Sequence, residues 1–263
     1  MSIADLFSHE NKIVTEMGRS YLSQRVVYRG KDLHHDLKNL SWLELFAYGI
    51  TGRQFSESEV KLLNFIWVST SYPDKSIWPN HITALAGTAR TTPPLALAAG
   101  IASCEAAIFG GKPFKVAIDF FKRANSYVSD GGELADFVDA ELKQHKVIFG
   151  YGRPLASTDE RVPHLIKFVK ENSINSLEHF NLAIKVAILL KAKKHINMNV
   201  AALYAALGAD LGFDAESFHM YMTLCFVAGM PPCYIEAKQD VEGAFLPVRC
   251  DRVEYTGESQ RPW

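Results

Sequence analysis

No stretch of this sequence is long and apolar enough to cross a bilayer. The longest apolar run, LALAAGIA at 95–102, falls far short of the roughly 20 residues a transmembrane helix needs, so no membrane partner is expected. The opening MSIADLFSHENKIV has no basic stretch followed by an apolar one, which argues against a secretory leader. Cysteine is scarce: Cys104, Cys225, Cys233 and Cys250, with no CxxC pair. Buried free thiols in a reducing compartment follow, and the expected location is cytoplasmic. Charge of one sign is lacking as well. With 28 Lys and Arg against 29 Asp and Glu the formal net charge is −1, which gives no bulk electrostatic case for nucleic acid. The locally basic KAKKH at 191–195 reads as a solvated helix face.

Several chemistries lack their motifs too. There is no HExxH, no Walker loop and no GxSxG elbow. FGGKPF has too few phosphate-loop elements to count. His34 and His35 are adjacent, and neighbours on a helix point apart, so no two-histidine metal site is expected.

What is present is helical periodicity in a chain of 263 residues, 48% hydrophobic and 22% charged, large enough to bury a real core. SWLELFAYGITG (41–52) opens with Ser41 as N-cap and Glu44 three residues on, and SESEVKLLNFIWVSTS (56–71) repeats the device with Ser56 and Glu59. TPPLALAAGIASCEAAIFGG (92–111) begins with Thr92 before two prolines and ends on two glycines. Further helices are predicted over 113–127, 132–145, 159–171, 175–193, 198–208 and 214–230. Only RVVYRG (25–30) and PVRCDRVEY (247–255) read as strands. The expected fold is all-α, with 1–149 and 236–263 forming a large domain and 150–235 a smaller one.

Five segments, taken in order, carry more than periodicity. They are VVYRGKDLHHDLKNLSWLELFAYGITGRQFSESE, RTTPPLALAAGIASCEAAIFGGK, GYGRPLASTDER, NVAALYAALGADLGF and RVEYTGESQRPW. Together they resemble the citrate synthase family, and the chain's length is similar to its short citryl-CoA lyases and to the C-terminal module of ATP-citrate lyase. The resemblance implies a citrate synthase-like all-α homodimer with a large and a small helical domain. It also implies C–C bond formation or cleavage between a coenzyme A thioester and a keto acid or citrate-like carboxylate. No metal is implied.

That chemistry uses a carboxylate to take the α-proton, a histidine to stabilise the enol and another to polarise the keto group. This sequence departs from the pattern at all three. Ala201 stands at the carboxylate position of NVD, and alanine moves no proton. Arg153 stands in GYGR where the keto-polarising histidine is expected; a guanidinium donates but does not accept. The first histidine falls within SYPDKSIWPNH, where Pro73, Asp74 or Lys75 takes its place and His81 lies several residues beyond. What is retained is anion grip. Arg161 matches the arginine of DPR, which by the resemblance holds a carboxylate, and Arg252 matches the tail arginine. Gly150 and Gly152 keep one ligand-facing turn; Gly110 and Gly111 keep the second, with Phe109 in place of the histidine before them and Lys112 after them as a contact to CoA phosphate.

The expected catalytic residues are therefore Arg153, Asp74 and His81, and the expected substrate-binding residues Arg161, Arg153, Arg252 and Lys75. Glycines 110, 111, 150 and 152, with Lys112, are expected to hold the CoA moiety. The ordinary reading of each is weighed beside the functional one: Arg161 as a first-turn residue paired with Asp159 or Glu160, His81 as a capping or packing residue, Lys112 as an exposed lysine. Two functions follow from the losses: an acyl-CoA enzyme with altered catalytic residues, or a non-catalytic binding or regulatory subunit with an active paralogue as its expected partner. Unaltered citrate synthase chemistry is the third and weakest reading.

Overall fold

In the computed structural model, which describes residues 3–8, 10–107, 110–153, 158–172, 174, 177–244, 249–259 and 261, a short helix α1 (Ile3–Ser8) leads into a three-stranded antiparallel sheet. Its strands are β1 (Gly18–Tyr21), β2 (Arg25–Tyr28) and β3 (Lys31–Asp32), in the order β1-β2-β3. Helices follow: α2 (Trp42–Thr51), α3 (Glu57–Thr70), α4 (Trp78–Thr88), α5 (Pro93–Cys104), α6 (Gly111–Ser129) and α7 (Leu134–His145). The later ones are α8 (Arg161–Glu171), α9 (Glu178–Lys194), α10 (Val200–Asp210), α11 (Ala215–Val227) and α12 (Met230–Ala237). The fold is all-α, as the sequence implies.

Local chemistry accounts for many of these boundaries. The Ser41 hydroxyl accepts from the Glu44 N–H at 3.3 Å while the Glu44 carboxylate accepts from the Ser41 N–H at 2.8 Å, a reciprocal cap. Ser56 and Glu59 do the same at the start of α3, at 3.4 and 2.7 Å. The helix after Thr92 ends earlier than its glycine pair suggests. Its last-turn carbonyl on Ser103 accepts from the Trp78 indole at 2.9 Å, and the chain turns back so that Gly110 lies against the Cys104 carbonyl.

Two helices were not expected. Prolines in SYPDKSIWPNH suggest a loop, yet Pro79 occupies the first turn of α4, where no backbone N–H is needed. Likewise, the helix predicted over 214–230 breaks at Gly229, and α12 starts with prolines in its first turn. The strand expected over 247–255 does not form in its described part. Cys250–Arg252 is a 3₁₀ turn, and 253–256 belong to no helix or strand; 247 and 248 lie outside the described residues.

The chain forms two compact units, each built from separated segments: Met1–Ser69 with Lys112–Met222, and Thr70–Gly111 with Thr223–Trp263. Residues 112–149 and 150–222 thus share a unit, although the sequence pattern places a boundary at 149/150. Tyr151 shows why they cohere. Its ring lies 6.5 Å from that of Phe121, and its buried hydroxyl donates to the Ala183 carbonyl at 2.9 Å. In the first unit α10 is buried on nearly every face, from Val200 and Ala202 to Ala209, as a central core helix must be. In the second unit α4 packs on α5 and α12 through small residues. A Cβ at Gly100 would lie 3.1 Å from the Pro79 carbonyl, and one at Gly87 would lie 2.9 Å from that of Tyr234.

Cys104, Cys225 and Cys233 are buried free thiols and Cys250 is exposed; burial pushes the Cys104 thiol up to about 12. Among the described residues no helix is long and apolar enough to cross a membrane.

Candidate functional site

In the first unit the glycine-bounded turn is fastened to the amino end of α10. Gly150 and Gly152 have φ of 91° and 87°, a left-handed backbone that suits glycine. The Gly150 carbonyl accepts from the Asn199 N–H at 2.9 Å, and the Gly152 N–H donates to the Asn197 carbonyl at 2.7 Å. Asn199 does two further things with one amide. Its Nδ2 donates to the Gly152 carbonyl at 2.8 Å, and its Oδ1 accepts from the Ala201 N–H at 3.0 Å, capping α10. The approach is so close that a Cβ at Gly150 would lie 2.7 Å from the Ala202 backbone, whereas one at Gly152 would meet only Ile196, at 3.8 Å. Gly150→Ala is therefore expected to destabilise by about 1–3 kcal/mol for strain and a similar amount for overpacking, and Gly152→Ala by the strain alone. Urea midpoints of the two variants, compared with wild type, test the ordering.

The acid-rich end of the loop is organised around Asp159, whose side chain is 0% exposed. Its Oδ1 accepts from Arg161 Nε and its Oδ2 from Arg161 Nη2, both at 2.9 Å, while Oδ2 also accepts from the Val200 N–H at 2.9 Å. Burial alone pushes this carboxyl up. Hydrogen bonds from Arg161 and Val200, with the guanidinium charge, outweigh burial and hold it below the usual carboxylate range. Arg161, the first residue of α8, is thus locked in a two-pronged pair. Arg153 lies over the same strip: its Nη1 donates to the Thr158 carbonyl at 2.9 Å and stands 3.4 Å from the Glu160 carboxylate. Residues 154–157 of the loop lie outside the described residues.

Ala201 follows Val200 in the first turn of α10, half-buried and without chemistry of its own. The nearby Asp159 does not substitute for a base there, because it is ionised, enclosed and bonded through both oxygens. Beside it lies a cavity of about 450 Å³, with Thr158–Glu160 on one side and apolar walls from Val162, Pro163, Ile184, Ile188 and Met198; Lys191 lines it too.

In the second unit a separate group forms around the 72–77 turn. Asn80 is buried and its Nδ2 donates to the carbonyls of Tyr72 at 2.7 Å and Asp74 at 3.0 Å. That fixes the backbone carrying Asp74 and Lys75. Asp74 is exposed and accepts from the Ser76 N–H at 2.8 Å, which holds it below the usual range. Lys75 pairs with Glu236 at 2.7 Å, and that hydrogen bond pushes its ammonium up. His81, on the first turns of α4, sits with Nδ1 3.1 Å from the Lys75 carbonyl. A carbonyl only accepts, so Nδ1 is the donor and Nε2 of the neutral ring keeps a lone pair.

The structure therefore gathers Gly150, Gly152, Arg153 and Arg161 in one group and Asp74, Lys75 and His81 in another. Gly110 and Gly111 are buried at the start of α6 and Lys112 is exposed beside them; Phe109 lies outside the described residues. Arg252 is exposed on the 3₁₀ turn. Among the described residues no hydrogen bond or ion pair ties the side chains of Lys112 or Arg252 to either group, and no cluster of His, Cys, Asp and Glu has the arrangement to hold a metal. Sequence reasoning gave Asp159 only as a partner for Arg161, and it missed Asn80 and Asn199. The signal for Asp159 was an acid two residues before an arginine.

A helical chain with a glycine turn sewn to the start of its most buried helix is a recognisable class of fold. It belongs to the citrate synthase family: residues 11–242 match the family model described as citrate synthase, C-terminal domain. Among solved structures it is similar to citryl-CoA lyase from Hydrogenobacter thermophilus, with 22% identity, TM-score 0.84, and 95% of this chain and 97% of that one covered. It is also similar to ATP citrate lyase from Methanothrix soehngenii in complex with citrate and coenzyme A, at 18% identity and TM-score 0.79; 99% of this chain but only 45% of that one is covered. Citrate synthase from Thermotoga maritima matches at 18% identity and TM-score 0.64, over 86% of this chain and 60% of that one. At these identities the likeness concerns the fold. No curated protein matches the chain.

Proposed function

We propose that the chain binds a coenzyme A thioester and a citrate-like or keto-acid carboxylate and makes or breaks a C–C bond between them with altered catalytic residues. The observation that carries this reading is the Asp159–Arg161 pair. A buried carboxylate, tied also to the start of α10, fixes a guanidinium through two parallel N–H bonds. Structural relatives solved in complex with citryl-CoA and with citrate and coenzyme A support the substrate class.

In this reading Arg161 and Arg153 grip the carboxylates, and Arg153 polarises the keto oxygen by donating to it. The cavity beside Asp159 takes an apolar part of the CoA moiety, and Gly110, Gly111 and Lys112 meet another part of it. His81 takes the α-proton at Nε2; Asp74, ionised and held by Ser76, is the poorer base. Lys75 and Arg252 complete the anion contacts. The protein acts as a cytoplasmic homodimer.

A second reading has its own observation. Ala201 leaves α10 without a carboxylate, and Asp159 is fully committed, so the first unit binds but moves no proton. In that case the chain is a non-catalytic binding or regulatory subunit, with an active paralogue as partner. Turnover decides. Purified protein is incubated with acetyl-CoA and oxaloacetate, and separately with citryl-CoA, and CoA species are followed by mass spectrometry. Conversion above the uncatalysed rate supports the enzyme; retention of ligand without conversion supports the subunit.

A further inference from the structure

Helices α7 and α9 deliver their carboxyl ends to one place. Lys193 of α9 pairs with Asp139 of α7 at 2.7 Å. Each helix is closed by a left-handed cap, Lys146 at φ 63° and His195 at φ 55°. A few residues further on the two segments meet, through the Tyr151–Met198 bridge and the Gly152–Asn197 hydrogen bond at 2.7 Å. Lys143, His145 and Lys146 are thereby brought beside Lys191, Lys194 and His195. All six are exposed, and none has an ion-pair partner among the described residues. The acids of α7 do not offset them: Asp139 is taken by Lys193 and Glu141 by Arg123, while Asp136 lies in the first turn.

Basic residues commonly close a helix, because its carboxyl end carries roughly half a negative charge. Two such ends account for about one positive charge. Four unpaired lysines, with two histidines, leave a clear positive excess on a chain whose formal net charge is −1. The excess is also broad. Packed helices lie roughly 8–10 Å apart, and α7 packs on α9, so the patch spans two helix ends rather than one phosphate-sized spot. Val147 and Ile188, 58% and 64% exposed, stand at its edge. Exposed apolar side chains beside unpaired cations suit an acidic protein surface with apolar points of its own.

The patch borders the glycine turn that the proposed function brings to a thioester, and Lys191 also lines the neighbouring cavity. A macromolecule held there by charge has the turn within reach of a flexible arm. Coenzyme A and carrier proteins present the same phosphopantetheine thioester, and only the carrier adds a broad acidic surface. We infer that this end of the first unit docks an acidic carrier protein, which presents the thioester on its phosphopantetheine arm. The inference rests on the thioester chemistry proposed above and names what carries the thioester.

The test uses the full chain and three probes: an acidic carrier protein with an acetyl-phosphopantetheine arm, acetyl-CoA, and a DNA duplex. Affinities are measured by calorimetry for wild type, for Lys143→Glu/Lys194→Glu, and for the neutral pair Lys143→Gln/Lys194→Gln. Saturable binding of the acetyl carrier is expected, weakened at least about tenfold by charge reversal and less by neutralisation. Raising salt from about 50 to about 500 mM is expected to weaken it as well. Acetyl-CoA should change by no more than about threefold between the proteins, as surface charges are largely screened. A wild type that binds acetyl-CoA but not the carrier overturns the inference and leaves the thioester reading standing. So does a carrier indifferent to the two lysines. A variant that loses acetyl-CoA as steeply as the carrier overturns it too, because the patch then serves the phosphates of CoA itself. Equal affinity for the duplex marks a general attraction to polyanions, with the same consequence. Binding of neither thioester removes this inference together with the reading it rests on. Should the reversed pair fail to fold, the neutral pair decides the outcome.

Discussion

Arg161→Ala is expected to lower stability by about 3 kcal/mol, the lower end for removing one partner of a buried ion pair. The loss is large because Asp159 is left enclosed with only the Val200 N–H and the remaining backbone contact, and its charge has nowhere to go. It falls at the lower end because 25% of the Arg161 side chain faces solvent. The pH dependence gives an independent check. Asp159 is held below the ordinary carboxylate range in the folded protein, so its contribution is fully present above about pH 4, where the unfolded carboxyl titrates. It is lost as pH falls through the lower folded value. The difference between wild type and Arg161→Ala, read from urea midpoints, should therefore be widest near neutrality and narrow on acidification. A difference that stays constant down to strongly acid pH would mean that the pair is not what Arg161 contributes.

Turnover of the CoA thioester is expected to fall about 10²–10⁴-fold in His81→Gln, the usual cost of losing one acid–base group. Glutamine keeps an N–H for the Lys75 carbonyl, so the 72–77 turn and the start of α4 retain their tie while the lone pair on Nε2 is gone. Asp74→Asn, by contrast, removes a carboxylate that is exposed and already held in its charged form by Ser76, and it is expected to change the rate only a few-fold. If the two variants lose activity equally, the proton is not taken at His81. If neither loses any, the altered site works through a water or through residues outside this group.

Much of this fold is legible in local sequence, and the reasons are physical. Ser41 with Glu44 and Ser56 with Glu59 mark helix starts because each pair satisfies orphan backbone groups within one turn. No distant residue is needed. Pro79 misled for the opposite reason: a proline is compatible with a loop and with a first helical turn, and only the packing of α4 on α5 and α12 decides. The glycine turn was readable because positive φ demands glycine. That Gly150 also lies against Ala202 was not, since the contact joins positions 52 residues apart in the numbering.

The site follows the same division. Arg153 and Arg161 could be singled out from GYGRPLASTDER, where the motif is continuous. Asp159 could be paired with Arg161 from spacing, but its burial depends on α10 presenting the Val200 N–H from 41 residues away. Asn80 carries no local signal and Asn199 only that of a helix cap, because the rest of each amide's role arises when folded carbonyls converge on it. These missed residues hold the backbone of the candidate groups, and such positions are set by tertiary structure.

The central claim is that the loop around Arg153 and Arg161 holds a carboxylate and a CoA thioester, and calorimetric titration tests it most directly. Citrate, CoA and citryl-CoA are titrated into wild type and into Arg153→Gln, a variant chosen because Asp159 and Arg161 stay paired in it. The account predicts saturable binding of citrate and of citryl-CoA to wild type, weakened at least about tenfold in the variant, as loss of a charge-assisted contact requires. Absence of binding in wild type, or equal binding in both proteins, would contradict it.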